Sequence, residues 1–139
     1  MVSFVLSIHN GNMKIMRALI VDDDEISCRL LAKVIGSKGL DVDWTTDSLA
    51  GYNLSRQNPY DLIILDVRMP LLLGTEIAEG LKEENSQAQI ILISAFADEA
   101  LQKAAENLNI ILLSKPFTLD RLLEVASELL DRRSRENSG

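Results

Sequence analysis

Leu62-Ile63-Ile64-Leu65 runs without a polar break into Asp66, and Pro70 closes the stretch four residues later. Four consecutive branched apolar residues leave no polar face. A strand built from them must be covered on both sides, which is the condition of a parallel sheet. Asp66 then stands at the carboxyl end of a buried strand, the edge where open α/β sheets bind their ligands. A carboxylate there needs a cation or a chemical task. Capping the following turn is the plainer alternative, and this stretch alone is compatible with both.

The rest of the chain repeats the pattern. Residues 17–21, 62–65, 89–93 and 110–113 are short apolar strands, and 41–46 alternates polar and apolar as a strand nearer the sheet edge. Helices follow each. The first carries Ile26, Leu30, Leu31, Val34 and Ile35 at helical spacing behind an Asp24 N-cap, with Cys28 on its flank as a small packing residue. Residues 47–57 form a weak helix with Leu49, Ala50, Tyr52 and Leu54. Residues 74–84 turn Ile77, Ala78 and Leu81 inward, 98–107 turn Ala100, Leu101, Ala104 and Ala105, and 118–132 carry a leucine stripe. Five strands alternating with five helices require parallel strands, right-handed crossovers and helices on both faces.

At 139 residues the chain is one domain by length, and 47% hydrophobic content with few aromatics gives an aliphatic core. A net charge of -7 repels phosphate backbones, so nucleic acid is not an expected partner of this domain. The single cysteine rules out an internal disulfide and suits a reducing, cytoplasmic compartment. No apolar run is long enough to cross a bilayer. Residues 1–16 read as a poorly ordered extension without a signal peptide, with Met13 and Met16 as alternative starts and His9 as a tail residue. Residues 17–132 are the domain, and 133–139 a C-terminal tail.

In a parallel sheet all strand carboxyl ends share one edge. Strand one delivers Asp22 and Asp23, strand three Asp66, strand four Ser94 and strand five Lys115. Two carboxylates about 4 Å apart repel by ~4 kcal/mol at an effective dielectric of about 20, so the cluster stays ionised only with a cation. The donors are oxygen alone, which selects a hard ion; Mg²⁺ with waters and a phosphate oxygen fits best. Asp66 can then attack phosphorus and carry an aspartyl phosphate. The metal would take one phosphoryl oxygen, the Lys115 ammonium a second, and the Ser94 hydroxyl can donate to a third. Five compatible groups at five expected positions weigh against a chance set of strand-end polar residues.

These residues carry a resemblance. Val21-Asp22-Asp23, Asp61 to Asp66, Met69-Pro70, Gly74, Ser94-Ala95 and Lys115-Pro116-Phe117 resemble the receiver domain of bacterial two-component response regulators, over residues 17–130. The resemblance implies a flavodoxin-like doubly wound (βα)5 fold with a five-stranded parallel sheet in the order 2-1-3-4-5. It implies that Asp66 is the phosphoacceptor and that Asp23 and Asp66 ligate Mg²⁺ directly, with Asp22 acting mainly through water and the Arg68 backbone carbonyl as a further ligand. Mn²⁺ would serve as a substitute. Ser94 takes the switch-hydroxyl position, Lys115 senses the phosphate, and the Lys115–Pro116 peptide is cis. Arg68 and Phe96, each two residues past a site residue, would tune dephosphorylation through water access. The implied role is a phosphorylation-controlled switch rather than an enzyme acting on other substrates. It is loaded by a sensor histidine kinase or histidine phosphotransfer protein and acts on a downstream target or output domain. No output domain follows Arg135, which suits a stand-alone receiver or a piece of a longer regulator.

Several positions depart from the family pattern. Leu73 replaces the Asp usual before the Gly74 glycine, and it ends an exposed-looking Leu71-Leu72-Leu73 run. Leu112 takes the place of a switch aromatic, and Ile110-Ile111 that of an acidic pair used in dimerisation by the winged-helix subfamily. An aspartyl-nucleophile phosphatase of the haloacid dehalogenase type is the enzyme alternative, but it carries a second Asp two residues after the nucleophile, where this chain has Arg68. A flavodoxin would open its first strand into a phosphate loop, where this chain has Asp22-Asp23-Asp24-Glu25. A receiver working only by protein contact is the third alternative.

Overall fold

The computed structural model describes residues 6–9 and 12–138, with side chains over residues 14–135. The elements of the main sheet are β3 (Arg17–Val21), β4 (Asp41–Thr45), β5 (Leu62–Asp66), β6 (Gln89–Ser94) and β7 (Ile111–Ser114), preceded by a short pair, β1 (Leu6–His9) and β2 (Asn12–Ile15). The helices are α1 (Glu25–Gly36), α2 (Ser48–Gln57), α3 (Gly74–Glu83), α4 (Glu99–Leu108) and α5 (Leu119–Ser138). The main sheet is parallel in the order β4-β3-β5-β6-β7, which is 2-1-3-4-5 counted along its own five strands. This is the doubly wound arrangement that the strand–helix alternation calls for.

β5 lies at the centre, and every one of its residues is buried. Its alternate side chains feed two cores. Ile64 joins Ile20, Ile91 and Ile93 beneath α1 and α5, while Ile63 and Leu65 join Leu19, Val21 and Leu92 on the side of α3 and α4. Each such residue contributes about 2 kcal/mol through burial. β4, at the sheet edge, is only half covered, in keeping with its alternating sequence.

Local chemistry sets the helix starts. Asp24, Asp47 and Asp98 each accept backbone N–H bonds from the first turn of α1, α2 and α4. α4 stops at Asn109, which adopts a left-handed φ of 57° that Asn tolerates.

Five expectations need correction. The apolar face of α1 is rotated: Cys28, Leu31 and Ile35 are buried, whereas Ile26 is 76% and Leu30 48% exposed. Cys28 is therefore central to the packed face and not on its flank. α2 packs by its small residues Ser48, Gly51 and Ser55, leaving Leu49 exposed. A Cβ at Gly51 would come within 2.7 Å of Val21, so close approach to β3 decides which face turns in. In α4 only Ala105 is fully buried.

The last two corrections concern the chain ends. Within residues 1–16, β1 and β2 pair antiparallel from Leu6↔Ile15 to His9↔Asn12, so these residues are strand and not loose extension. Apolar alternation on either side of an Asn-Gly dipeptide is the hairpin signal that explains it. Met16 is buried, and its carbonyl accepts the Asp41 N–H at 3.0 Å, so the packed domain begins there. The side chain of His9 lies outside the described residues. At the other end α5 continues to Ser138, so residues 133–138 are helix and not tail. Arg133 continues its apolar stripe and is buried. No helix among the described residues is long and apolar enough to cross a membrane.

Candidate functional site

The carboxyl ends of β3, β5, β6 and β7 bring the expected side chains together. Asp22, just past β3, is fully buried; Asp66, the last residue of β5, and Ser94, the last of β6, are buried as well, while Asp23 is exposed. One carboxylate oxygen from each of Asp22, Asp23 and Asp66 lies within 4.8 Å of the others. The Lys115 ammonium stands 3.5 Å from Asp22 Oδ2 and 4.0 Å from Asp66 Oδ1.

The electrostatics are those of a group kept short of positive charge. Burial, first, and the neighbouring Asp22 carboxylate, second, raise the Asp66 carboxyl to about 7, with Lys115 only partly opposing and Asp23 adding to the rise. Asp22 Oδ1 accepts the Asp24 N–H at 3.0 Å, but Asp22 Oδ2 is buried without a hydrogen-bond donor among the described residues. A buried carboxylate oxygen that accepts no hydrogen bond and has only the Lys115 ammonium at 3.5 Å, beside two more carboxylates, fits a bound cation, which would satisfy it and relieve the repulsion. The three carboxylates thus form a site that can hold a metal ion.

Backbone contacts hold this geometry. The Cys28 thiol donates to the Asp22 carbonyl at 3.1 Å, and burial pushes its pKa up to about 11, so it serves as a neutral brace. Val67 N–H donates to Ile93 O and Gly74 N–H to Val67 O, both at 2.9 Å, which pins the loop holding Arg68 at both ends. A Cβ on Gly74 would lie 2.3 Å from the carbonyl oxygen of Asp66, so only glycine fits. Ser48 is buried, donates to Pro70 O at 2.6 Å and accepts the Leu72 N–H at 3.2 Å. Sequence reading missed this anchor, because a serine in the first turn of a weak helix looks like solvated surface. Between its anchors the loop holds Leu71 at φ 75° and 77% exposed, a conformation costly for a branched residue.

Ser94 Oγ accepts the Phe96 N–H at 3.0 Å, which leaves the hydroxyl proton available to an oxygen in the site. Lys115 N–H donates to Ser94 O at 2.8 Å, and the Lys115–Pro116 peptide is cis. The Arg68 guanidinium lies over the Phe96 ring, 5.8 Å from its centroid. Because β5 and β6 are neighbours in register, Asp66 opposite Ile93, this pair bridges the two loops that leave them. Leu112 does not join the site. It is half-buried among the side chains of the α3–α4 core, beside a groove of about 380 Å³ between α4 and β7.

A doubly wound parallel sheet with three carboxylates, a lysine and a hydroxyl at one edge defines the class to which this domain belongs. The model of the response regulator receiver domain matches residues 18–127, and the chain belongs to that family. It is 33% identical over 122 residues to the transcriptional regulatory protein CusR of Escherichia coli K12, covering 84% of this chain and 52% of CusR. It is 30% identical over 118 residues to the sensor histidine kinase RcsC of Salmonella typhi, covering 84% of this chain and 12% of that protein. The chain therefore spans about half of the one relative and about an eighth of the other. Among solved structures it superposes on a CheY-like receiver domain from Methanospirillum hungatei JF-1 with a TM-score of 0.84 at 23% identity, covering 88% of this chain and 99% of that one.

Proposed function

We propose that this receiver domain is a Mg²⁺-dependent phosphoacceptor switch. Asp66 takes a phosphoryl group from a phosphohistidine of a sensor histidine kinase or histidine phosphotransfer protein. The observation that carries this reading is a buried Asp22 Oδ2 that accepts no hydrogen bond among the described residues, beside an Asp66 carboxyl raised to about 7: three carboxylates share one lysine. Asp22, Asp23, Asp66 and the Arg68 backbone carbonyl would hold Mg²⁺, for which an oxygen-only donor set is suited, with Mn²⁺ as a substitute. When bound, the ion neutralises charge on the transferred phosphoryl group and lets Asp66 ionise at neutral pH.

The remaining chemistry belongs to the chain. An Asp66 carboxylate oxygen forms the bond to phosphorus as the phosphorus–nitrogen bond of the donor breaks, and the electron pair stays on the departing imidazole. Lys115 balances charge on one phosphoryl oxygen, and the Ser94 hydroxyl donates to another. Arg68 and Phe96, stacked on each other in the loops after β5 and β6, tune the life of the acyl phosphate through water access. The chain acts as a switch on a downstream target or output domain and not as an enzyme on other substrates, in the cytoplasm and without contacting nucleic acid or membrane itself. Leu112 in place of a switch aromatic directs the readout along a path other than Ser94 coupled to a ring on β7.

Intact mass after incubation with acetyl phosphate tests the reading. The expected gain is one phosphoryl group, dependent on Mg²⁺ and absent in Asp66→Ala. Uptake that survives this substitution would overturn it.

A further inference from the structure

A cavity of about 290 Å³ opens beside the carboxylate cluster, between α1, the loop after β7 and the start of α5. It shares Asp22 and Lys115 with the site. Its other walls are chiefly apolar: Leu30 and Leu31 from α1, Phe117 from the loop and Leu119 from α5. Leu30 and Leu119 stand at its rim 48% and 37% exposed, so apolar surface is left uncovered next to the lysine.

We propose that this cavity seats the acyl chain of a small acyl phosphate, and that the site prefers a donor with a short apolar chain to acetyl phosphate. The inference rests on the phosphoacceptor reading of Asp66. Three features select this occupant. A molecule whose phosphoryl group is drawn to Lys115 has the cavity within reach, because Lys115 lines both. The walls offer hydrophobic burial and few polar partners, which suits a hydrocarbon chain and not a sugar or a charged group. The volume is that of a small-ligand cleft. In the transfer, an Asp66 oxygen bonds to phosphorus, the bond from phosphorus to the acyl oxygen breaks, and the acyl group leaves as its carboxylate with the bonding pair. No proton is exchanged.

The test compares initial rates of phosphoryl uptake from butyryl phosphate, acetyl phosphate and phosphoramidate at equal subsaturating concentrations with Mg²⁺, read by intact mass. Phosphoramidate has no acyl chain and reports the site alone. Burial of two further methylenes predicts that butyryl phosphate reacts about tenfold faster than acetyl phosphate. In the Leu30→Ala, Leu119→Ala double variant, the ratio of butyryl phosphate to phosphoramidate rates should collapse toward that of acetyl phosphate to phosphoramidate. Both residues are partly exposed at the rim, and far-UV circular dichroism checks the fold. Equal rates for the two acyl donors, or a preference that survives the double variant, would overturn the pocket while leaving Asp66 as phosphoacceptor. No uptake from any of the three donors would overturn the phosphoacceptor reading and the pocket with it.

Discussion

Two aspartates bracket the central strand, and they live in opposite conditions. Asp61, at the amino edge, is buried but fully met: Oδ2 accepts the Arg17 N–H at 2.9 Å and Oδ1 the Arg133 Nε at 2.8 Å. Arg133 also donates to the Gln87 carbonyl, so one side chain ties the end of α5 to the segment entering β6. Asp66, at the carboxyl edge, faces two carboxylates with one lysine at 4.0 Å. The same residue type, at the two ends of one strand and at similar burial, is a structural clamp at one end and an electrostatic deficit at the other. Buried charge is tolerable when paired, and three carboxylates around one lysine leave room for a further cation.

The largest expected effect sharpens the Asp61 side. Arg133→Ala should cost about 3–5 kcal/mol in urea unfolding, because it strands a buried carboxylate. The loss should be the same with and without Mg²⁺. A cost under about 1 kcal/mol would mean that the clamp is no stronger than a surface ion pair.

Next comes the cation response at the other end. Mg²⁺ at a hundredfold excess over its dissociation constant should stabilise the wild type by about 2.7 kcal/mol and Asp66→Ala far less. A flat melting temperature in millimolar Mg²⁺ would break the contrast, since Asp66 would then lack its missing partner.

The two ends should also titrate differently. Without metal, the folded chain holds a proton on Asp66 up to pH about 7, whereas an unfolded aspartate releases it near pH ~4. The folded state binds more protons in that window, so this contribution to stability is fully present below pH about 4 and is lost as pH rises through about 7. Asp66→Asn should abolish that slope in pH-dependent denaturation while Arg133→Ala keeps it. Proton and metal compete for one carboxylate, so Mg²⁺ should bind more weakly below pH about 7.

The smallest effect lies in the loop beside Asp66. Leu71→Asn should stabilise by about 0.5–1 kcal/mol, since Asn accepts a left-handed backbone more readily. Destabilisation on thermal melting would show that the exposed Leu71 side chain makes contacts that outweigh its strain.

Much of the carboxyl edge was legible because strand order and parallel pairing alone bring Asp22, Asp66, Ser94 and Lys115 to one side. The amino edge was not. Arg133 sits in a run of charges that reads as solvated tail, and only its spacing of three and four residues from Leu130 and Leu129 hinted that it lies on the buried stripe. The faces of α1 and α2 were misjudged for one physical reason. Hydrophobic periodicity marks the large residues, whereas close packing on β3 turns in Gly51 from α2, and in α1 the small Cys28 shares the buried face with Leu31 and Ile35. Ser48 escaped notice because its task, holding the Pro70 and Leu72 backbone, depends on a contact across 22–24 residues that no local pattern encodes.

Gly74 carries a consequence for how this domain can change over generations. The space a side chain would need there is taken by the carbonyl of Asp66 itself. Every substitution at 74 is therefore also a displacement of the Asp66 backbone. In a mutational survey this position should behave as though it were catalytic, although it offers no side chain to metal or phosphoryl group. The start of α3 and Asp66 can thus drift only together, and compensating changes should appear in the backbone of the β5–α3 loop before they appear in the acidic cluster.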